Sequence, residues 1–184
     1  MGRLIVSARM TADAVMDQIE GWFDPKFEGG MAASWDELMT ADALLLGRET
    51  YTGLSGAWPT MTTDPEAFAH RMNAMPKYVA SRTLKPPLRW NATLIEGDVV
   101  ERVAELKREH TGNLLSCGCG ELAGELARHG LVDEVRFWLY PVVWGDGVRP
   151  FHAGRLPVRL RLIGTTTFSS GVVRLSYEPA EAGP

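Results

Sequence analysis

Short apolar runs alternate with segments of helical periodicity along most of the chain. Leu4–Ala8 and Ala43–Leu46 are apolar at consecutive positions, which is typical of strands buried on both faces of a sheet. In Val99–Leu106, apolar residues recur at helical spacing instead. Strands that alternate with helices predict a parallel sheet joined by right-handed crossovers.

Three segments carry helix-start signals. Ser34–Glu37 and Asp98–Glu101 both have the form of a capping box, in which a side chain at each end satisfies free backbone N–H groups. Asp64–Glu66 combines a capping aspartate with a proline at the first helical position. We expect a helix to begin at each of them.

The pattern of the C-terminal third predicts strands. Val132–Val143 is rich in β-formers, and Ser169–Gly171 joins Leu160–Phe168 to Val172–Tyr177 as a hairpin. The predicted fold class is α/β, with three layers, α/β/α, around a mostly parallel central sheet that ends in an antiparallel C-terminal hairpin. Residues 1–178 form a single domain in this prediction, and residues 179–184 form a frayed tail.

Composition narrows the class of protein. The chain has 184 residues and a formal net charge of −4, which suits one domain and disfavours a general nucleic-acid binder. No apolar run approaches the roughly 18 residues that span a bilayer, so we expect a cytoplasmic protein with no membrane partner. Cys117 and Cys119 have a single residue between them, which disfavours both a disulfide and a zinc site.

Three predicted strand ends carry groups that suit a nucleotide. They are Gly47–Thr50, Ser81–Thr83 and Gly118–Leu122. Ligands of open parallel sheets bind outside the carboxyl ends of the strands, where glycines admit a phosphate close to the backbone and helix N-termini attract it. Arg48 and Arg82 offer planar forks for phosphate oxygens, which favours NADPH over NADH. The alternatives are a pair between Arg48 and a neighbouring acid (Glu49 or Asp42) and an ordinary loop at Ser81–Thr83.

Several segments, in order along the chain, resemble one known family. They are Ala41–Tyr51, Pro76–Leu84, Gly97–Val100, Gly118–Leu122, His129–Arg136 and Tyr140–Gly147. The chain resembles the dihydrofolate reductase-like superfamily, and most closely the reductase domain of the bifunctional riboflavin-biosynthesis deaminase/reductase and its stand-alone bacterial relatives. The resemblance implies a homodimeric reductase that uses NADPH.

The resemblance also implies roles for particular residues. Gly47, Arg48 and Thr50 would bind the adenosine-phosphate half of NADPH, and Ser81 and Arg82 would lie near its 2′-phosphate. Ser7 and Ala8 would flank the nicotinamide ring. Thr83, whose hydroxyl is also available, is a further cofactor-binding candidate. The remaining candidates are the residues of the third turn: Gly118, Cys119, Gly120, Glu121 and Leu122.

Two departures from the family pattern concern the substrate side. Relatives have Ser-Leu-Asp-Gly after the first strand, whereas this chain keeps Asp13 and has Ala14 in place of the glycine. The helix carboxylate that holds the pterin in dihydrofolate reductases would fall near Met31, and the nearest acids are Asp36 and Glu37, at least a turn away. This second departure argues against folate reduction.

The leading hypothesis is hydride transfer from NADPH to a C=N or C=O bond of a small heterocycle, pteridine- or pyrimidine-like, or of a sugar-linked precursor. Asp13 is the first candidate for the acid or the substrate anchor, unless it is only an exposed loop residue. Trp22, Phe23 and Trp58 are candidates to cover a planar substrate, although hydrophobic packing is favoured for Trp58.

Two other functions stay open at this point. One is a ligand-binding or assembly module that has the same fold and no reductase turnover. The other is recognition of nucleotide phosphates without hydride chemistry. The apolar stretch Phe137–Trp144 suits a dimer strand as well as a core strand, because buried strands of both kinds have the same pattern.

Overall fold

The computed structural model describes residues 1–23, 30–61, 68–151 and 158–180, with side chains omitted at 30–33. Its strands are β1 (Leu4–Thr11), β2 (Ala41–Gly47), β3 (Lys77–Ala80), β4 (Ala92–Leu94), β5 (Asn113–Cys117), β6 (Glu134–Tyr140), β7 (Leu160–Thr167) and β8 (Val173–Pro179). Its helices are α1 (Ile19–Trp22), α2 (Gly30–Met39), α3 (Arg48–Ala57), α4 (Phe68–Ala74), α5 (Val99–Glu109) and α6 (Glu121–Arg128). A short 3-10 turn, Trp58–Thr60, follows α3.

All eight strands form one sheet in the order β4-β3-β2-β5-β1-β6-β8-β7. The first six strands in this order are parallel, while β8 is antiparallel to both β6 and β7. The predicted fold class, with its C-terminal hairpin, is therefore confirmed. No helix in the described ranges is long and apolar enough to cross a membrane.

Helices cover both faces of the sheet because successive strand residues point to opposite sides. The α2 face carries Ile5 and Leu44, which pack with the apolar side chains of α2, α3 and α4. The α5 face carries Leu4 and Leu45, which pack with those of α5 and α6. Continuous apolar runs such as Ala43–Leu46 are buried for this reason.

Two of the predicted boundaries need correction. Ser34–Glu37 does not cap a helix: α2 begins at Gly30, and Ser34 and Glu37 are buried inside it. In the β-rich run Val132–Val143, only Glu134–Tyr140 pairs as a strand.

The other boundary predictions have mixed outcomes. Asp98 caps α5 as predicted, since its carboxylate accepts the N–H groups of Val100 and Glu101. At the C-terminus, β8 continues to Pro179, the first residue of the predicted tail, and the Ala180 N–H donates to the Arg159 carbonyl. The predicted helix start at 64–66 and the tail residues 181–184 lie outside the described residues.

The chain changes direction between two neighbouring strands. After β2 it turns into α3 on the α2 face, and after β5 it turns into α6 on the α5 face. Because β2 and β5 are adjacent, the two exits leave a crevice between them at the carboxyl end of the sheet. The neighbouring strand β1 pairs with β5 only as far as Ser7 and then continues beside β6 for four more residues.

Candidate active site

The three turns singled out in the sequence meet at this crevice. Gly47, at the end of β2, is in register with Ala80, so Ser81 follows directly beside it. The Thr50 hydroxyl lies 3.4 Å from the Cys117 carbonyl oxygen and donates to it across the crevice. The structure thus brings together the turns after β2, β3 and β5.

The helix N-termini that border the crevice are open. Neither α3 nor α6 has a side-chain cap, whereas α5 is capped by Asp98. A Cβ built at Gly47 or Gly120 would meet no atom within 4 Å, and Gly118 has a φ of +91°, a conformation that favours glycine. Free N–H groups beside open backbone suit the phosphates of a dinucleotide, so the residues present fit such a cofactor.

The two arginines of these turns are exposed. Arg48 pairs with Glu49, which is one of the alternatives that the sequence left open. Arg82 is exposed beside Thr83, while the Ser81 oxygen accepts the N–H groups of Thr83 and Leu84 at 3.1 and 3.0 Å. Ser81 therefore shapes its turn. The Arg82 guanidinium is exposed to solvent, while an anion at Arg48 would compete with Glu49.

The turn after β5 presents mainly backbone to the crevice. The Cys119 side chain is fully buried, so this residue can contribute only main-chain groups. Burial raises the pKa of the Cys117 thiol to about 11, which keeps it protonated at neutral pH. Leu122 is half-buried and Glu121 is exposed at the start of α6.

Ser7 and Ala8 lie on the other side of this turn. The Ser7 carbonyl oxygen accepts the Gly118 N–H at 2.7 Å, which fixes the turn against β1. The Ala8 side chain belongs to the core of the α5 face, whereas the Ser7 hydroxyl points to the α2 face. Both residues border the crevice through their backbone.

A buried polar cluster lies behind Ser7. Glu37 of α2 accepts the Ser7 hydroxyl at 2.8 Å through one oxygen and Arg136 of β6 at 3.0 Å through the other. The Ser7 oxygen also accepts the indole N–H of Trp138 at 3.1 Å. Glu37 is 6% exposed, and Arg136 reaches a second carboxylate, Glu134, at 2.6 Å.

The sequence interpretation missed this cluster. Its signal is the alternation of Glu134, Arg136 and Trp138 within an otherwise apolar strand, which marks one polar face of β6. In the sequence, Glu37 lies too far along its helix to replace the acid expected near Met31. In the structure it lies further toward the C-terminus of α2 than that position and contacts the sheet at Ser7.

Asp13 joins two loops. Its carboxylate accepts the Thr11 hydroxyl at 2.6 Å and the N–H groups of Trp144 and Gly145 at 3.0 and 2.7 Å. These hydrogen bonds, the one from Thr11 most strongly, hold the pKa of Asp13 well below its usual range. A carboxylate held in its ionised form is a poor proton donor at neutral pH, so this geometry disfavours the acid role and shows Asp13 holding the loop at Trp144 and Gly145 to the end of β1. The role of Asp13 as a substrate anchor stays a prediction.

Acidification should therefore weaken the contact between these loops. Because the folded-state pKa of Asp13 is depressed, its contribution to stability is present above the unfolded-state pKa and is lost as pH falls. We expect wild-type protein to lose more thermal stability between neutral and acidic pH than Asp13→Asn. Asp146→Asn, in the exposed loop that Asp13 binds, is the control and should follow the wild-type pH profile. Parallel profiles for wild type and Asp13→Asn would contradict this role.

The three aromatic candidates have different environments. Trp22 is 5% exposed, donates its indole N–H to the Asp17 carbonyl and packs on Tyr140. Phe23 is half-buried against Tyr140, beside the Arg9 guanidinium. Trp58 packs on Phe68 of α4, as the packing alternative expects. Of the two half-buried candidates, Phe23 is the one beside Arg9 of β1 and Tyr140 of β6.

The chain is similar in sequence to known proteins over almost its whole length. The RibD C-terminal domain family matches residues 3–174. The uncharacterized protein YyaP of Bacillus subtilis (strain 168) is 29% identical over 178 residues, 95% of this chain and 94% of YyaP.

Among solved structures, Acinetobacter baumannii RibD (form 2) is similar with a TM-score of 0.69 and 15% identity, over 98% of this chain and 58% of RibD. A dihydrofolate reductase from Enterococcus faecalis, in complex with NADP(H), has a TM-score of 0.64 and 14% identity over 97% of each chain. The fold is therefore that of dihydrofolate reductase-like proteins, and the chain belongs to the RibD C-terminal domain family.

Proposed function

We propose that this protein is an NADPH-dependent reductase that transfers a hydride to a small heterocyclic substrate, pteridine- or pyrimidine-like, or to a sugar-linked one. The observation that carries the proposal is the crevice between β2 and β5, where two uncapped helix N-termini and three turns converge. The family supports a reductase, and the similar A. baumannii protein and dihydrofolate reductase share its fold.

Each part of the crevice has a task in this proposal. The N-termini of α3 and α6 bind the diphosphate, and Arg48 or Arg82 binds the 2′-phosphate. The backbone of Ser7 and Gly118 positions the nicotinamide ring against the substrate, since the hydrogen bond between these residues fixes both. The bound cofactor would supply the hydride.

The substrate also needs a proton. The depressed pKa of Asp13 and its hydrogen bonds to Trp144 and Gly145 make it an anchor for the neighbouring loop. We therefore assign proton delivery to water that enters the crevice with the substrate. The ligand-binding module without turnover is the alternative, and only a test of turnover separates it from the reductase.

Thermal unfolding with and without cofactor tests the proposal. NADPH at a hundred times its dissociation constant should stabilise the protein by about 2.7 kcal/mol, a shift of roughly 5–10 °C for a chain of this size, and NADH should shift it less. Arg48→Gln and Arg82→Gln should reduce the difference between the two cofactors. No shift with either cofactor would contradict the proposal.

Turnover is the second measurement. Oxidation of NADPH in the presence of pteridine and pyrimidine acceptors would establish the reductase, and binding without oxidation of NADPH across that panel would favour the binding module.

Arg102→Gln is a control for the Arg48 and Arg82 variants in thermal unfolding, because this arginine lies on α5 and pairs with Glu105 and Glu109. It should leave both cofactor shifts unchanged.

A further inference from the structure

Two arginines stand in one row across the α2 face of the sheet. Arg9 of β1 is in register with Trp138 of β6, and Trp138 is in register with Arg174 of β8. The two guanidinium carbons lie 5.9 and 5.2 Å from the Trp138 ring, so their separation cannot exceed the sum of these distances. Trp138 is fully buried and stacks on Phe168. Two like charges thus flank one packed aromatic pair.

The carboxylates on the α2 face that form ion pairs do so with other arginines. Glu37 and Glu134 both bind Arg136, and Glu134 also binds Arg3. On β8, Glu178 pairs with an arginine of the edge strand β7. Glu37, Glu134 and Glu178 are therefore each paired with an arginine other than Arg9 and Arg174.

Arg9 and Arg174 have only neutral hydrogen-bond partners within the described ranges. Arg9 donates to the Ser34 hydroxyl at 2.6 Å and contacts the hydroxyl of Tyr140, and Arg174 donates to the Thr166 hydroxyl at 3.2 Å. No described carboxylate forms an ion pair with either of them. Among the residues that the structure describes, these two positive charges therefore have no carboxylate as counter-charge.

Each arginine also has an unused donor. The Nε atoms of Arg9 and Arg174 are buried and have no hydrogen-bond partner. Both side chains remain partly exposed, so an anion from solvent can reach the guanidinium groups through their Nη atoms, while the Nε atoms stay covered. A planar guanidinium can present two N–H groups to two oxygens of one anion side by side. An oxyanion would therefore supply the counter-charge of these two arginines.

The row begins at the proposed substrate side of the crevice. Arg9 lies two residues beyond Ser7, where β5 has already ended and β1 continues beside β6 alone. From there the row leads away from the turns after β2, β3 and β5. A ring bound near Ser7 could therefore direct a substituent toward the two arginines.

We infer that Arg9 and Arg174 form a subsite for the carboxylate group of a planar acceptor substrate. The assignment rests on the proposed reductase function in so far as the ligand is an acceptor. A carboxylate presents two oxygens in one plane, which matches a guanidinium edge. A phosphate monoester is commonly bound by backbone N–H groups as well. Here β6, the strand between the two arginines, is paired with both β1 and β8, so its backbone N–H groups are used within the sheet.

Titration of the full chain without cofactor tests the subsite. The probes are two matched pairs, orotate with methyl orotate and 2-naphthoate with 2-naphthamide, in which only one member is charged. Uridine 5′-monophosphate is the phosphate probe. We expect at least one carboxylate to bind about tenfold tighter than its neutral partner, the effect of one charge-assisted hydrogen bond, and to weaken as salt is raised.

Variants locate the effect. Arg9→Gln and Arg174→Gln should each remove most of the preference for the carboxylate and leave the affinity for the neutral probe within about twofold. Arg161→Gln is the matched control, because it removes an exposed arginine from the neighbouring strand β7, and it should keep the preference.

Four outcomes would overturn the assignment: no preference for the charged probe in wild type, no binding of either carboxylate, tighter binding of uridine 5′-monophosphate, or a preference that survives in both variants. The wild-type comparisons decide the matter even if one variant fails to fold. A parallel titration with NADPH separates this test from the proposed function, since loss of the carboxylate subsite leaves cofactor binding in place.

Discussion

Replacing Glu37 by leucine should lower the free energy of unfolding by about 3 kcal/mol, the lower end of the range for breaking a buried ion pair. The change leaves Ser7 without its acceptor and Arg136 with one carboxylate instead of two. The retained pair with Glu134 is the reason to expect the lower end. Urea unfolding followed by fluorescence would measure the loss.

Two variants sharpen this test. Glu37→Gln keeps the shape and one acceptor oxygen, so its loss should be smaller than that of the leucine variant. Glu105→Leu removes a half-exposed carboxylate that also pairs with an arginine, and it should change stability by no more than about 0.5 kcal/mol. If Glu37→Leu were as stable as Glu105→Leu, the buried cluster would have no stabilising role.

Gly118→Ala should lower the affinity for NADPH about tenfold or more. A Cβ at this position would lie 3.5 Å from the Thr50 hydroxyl oxygen, on the crevice side of the turn after β5. The φ of +91° also makes an alanine there strained, at a cost of about 1–2 kcal/mol in stability. Cofactor titration and unfolding on the same variant would separate the two effects.

Gly130→Ala is the matched control for the backbone strain. Gly130 has a φ of +67° and lies between α6 and β6, at the amino end of the strands and therefore opposite the crevice, with open space around its Cβ position. It should lose a similar amount of stability and keep the wild-type affinity for NADPH. Equal losses of affinity in both variants would show that general destabilisation, and not the crevice, explains the result.

The strands and the crevice could be predicted because they depend on local patterns. Ala43–Leu46 is apolar at consecutive positions, one glycine ends β2 and another follows β5, so periodicity and topology rules were enough to bring the turns together. The roles of individual turn residues, such as the arginines proposed to bind the 2′-phosphate, remain predictions.

The polar cluster could not be predicted because its members are far apart in sequence. Glu37 and Arg136 are 99 positions apart and meet only when β6 lies beside β1. The spacing of Ser34 and Glu37 fits a capping box, but residues three apart also share one face of any helix. Only the start of α2 at Gly30 distinguishes the two cases.

The strands fall into two groups with different opportunities for evolutionary change, and the boundary lies between β5 and β1. The turns that fit the cofactor follow β2, β3 and β5, while the side chains of the arginine row come from β1, β6 and β8. Substitutions in the second group leave the first group's glycines and helix starts in place. Under the proposed function, a lineage built on this sheet can therefore exchange its acceptor molecule while it retains the same reductant.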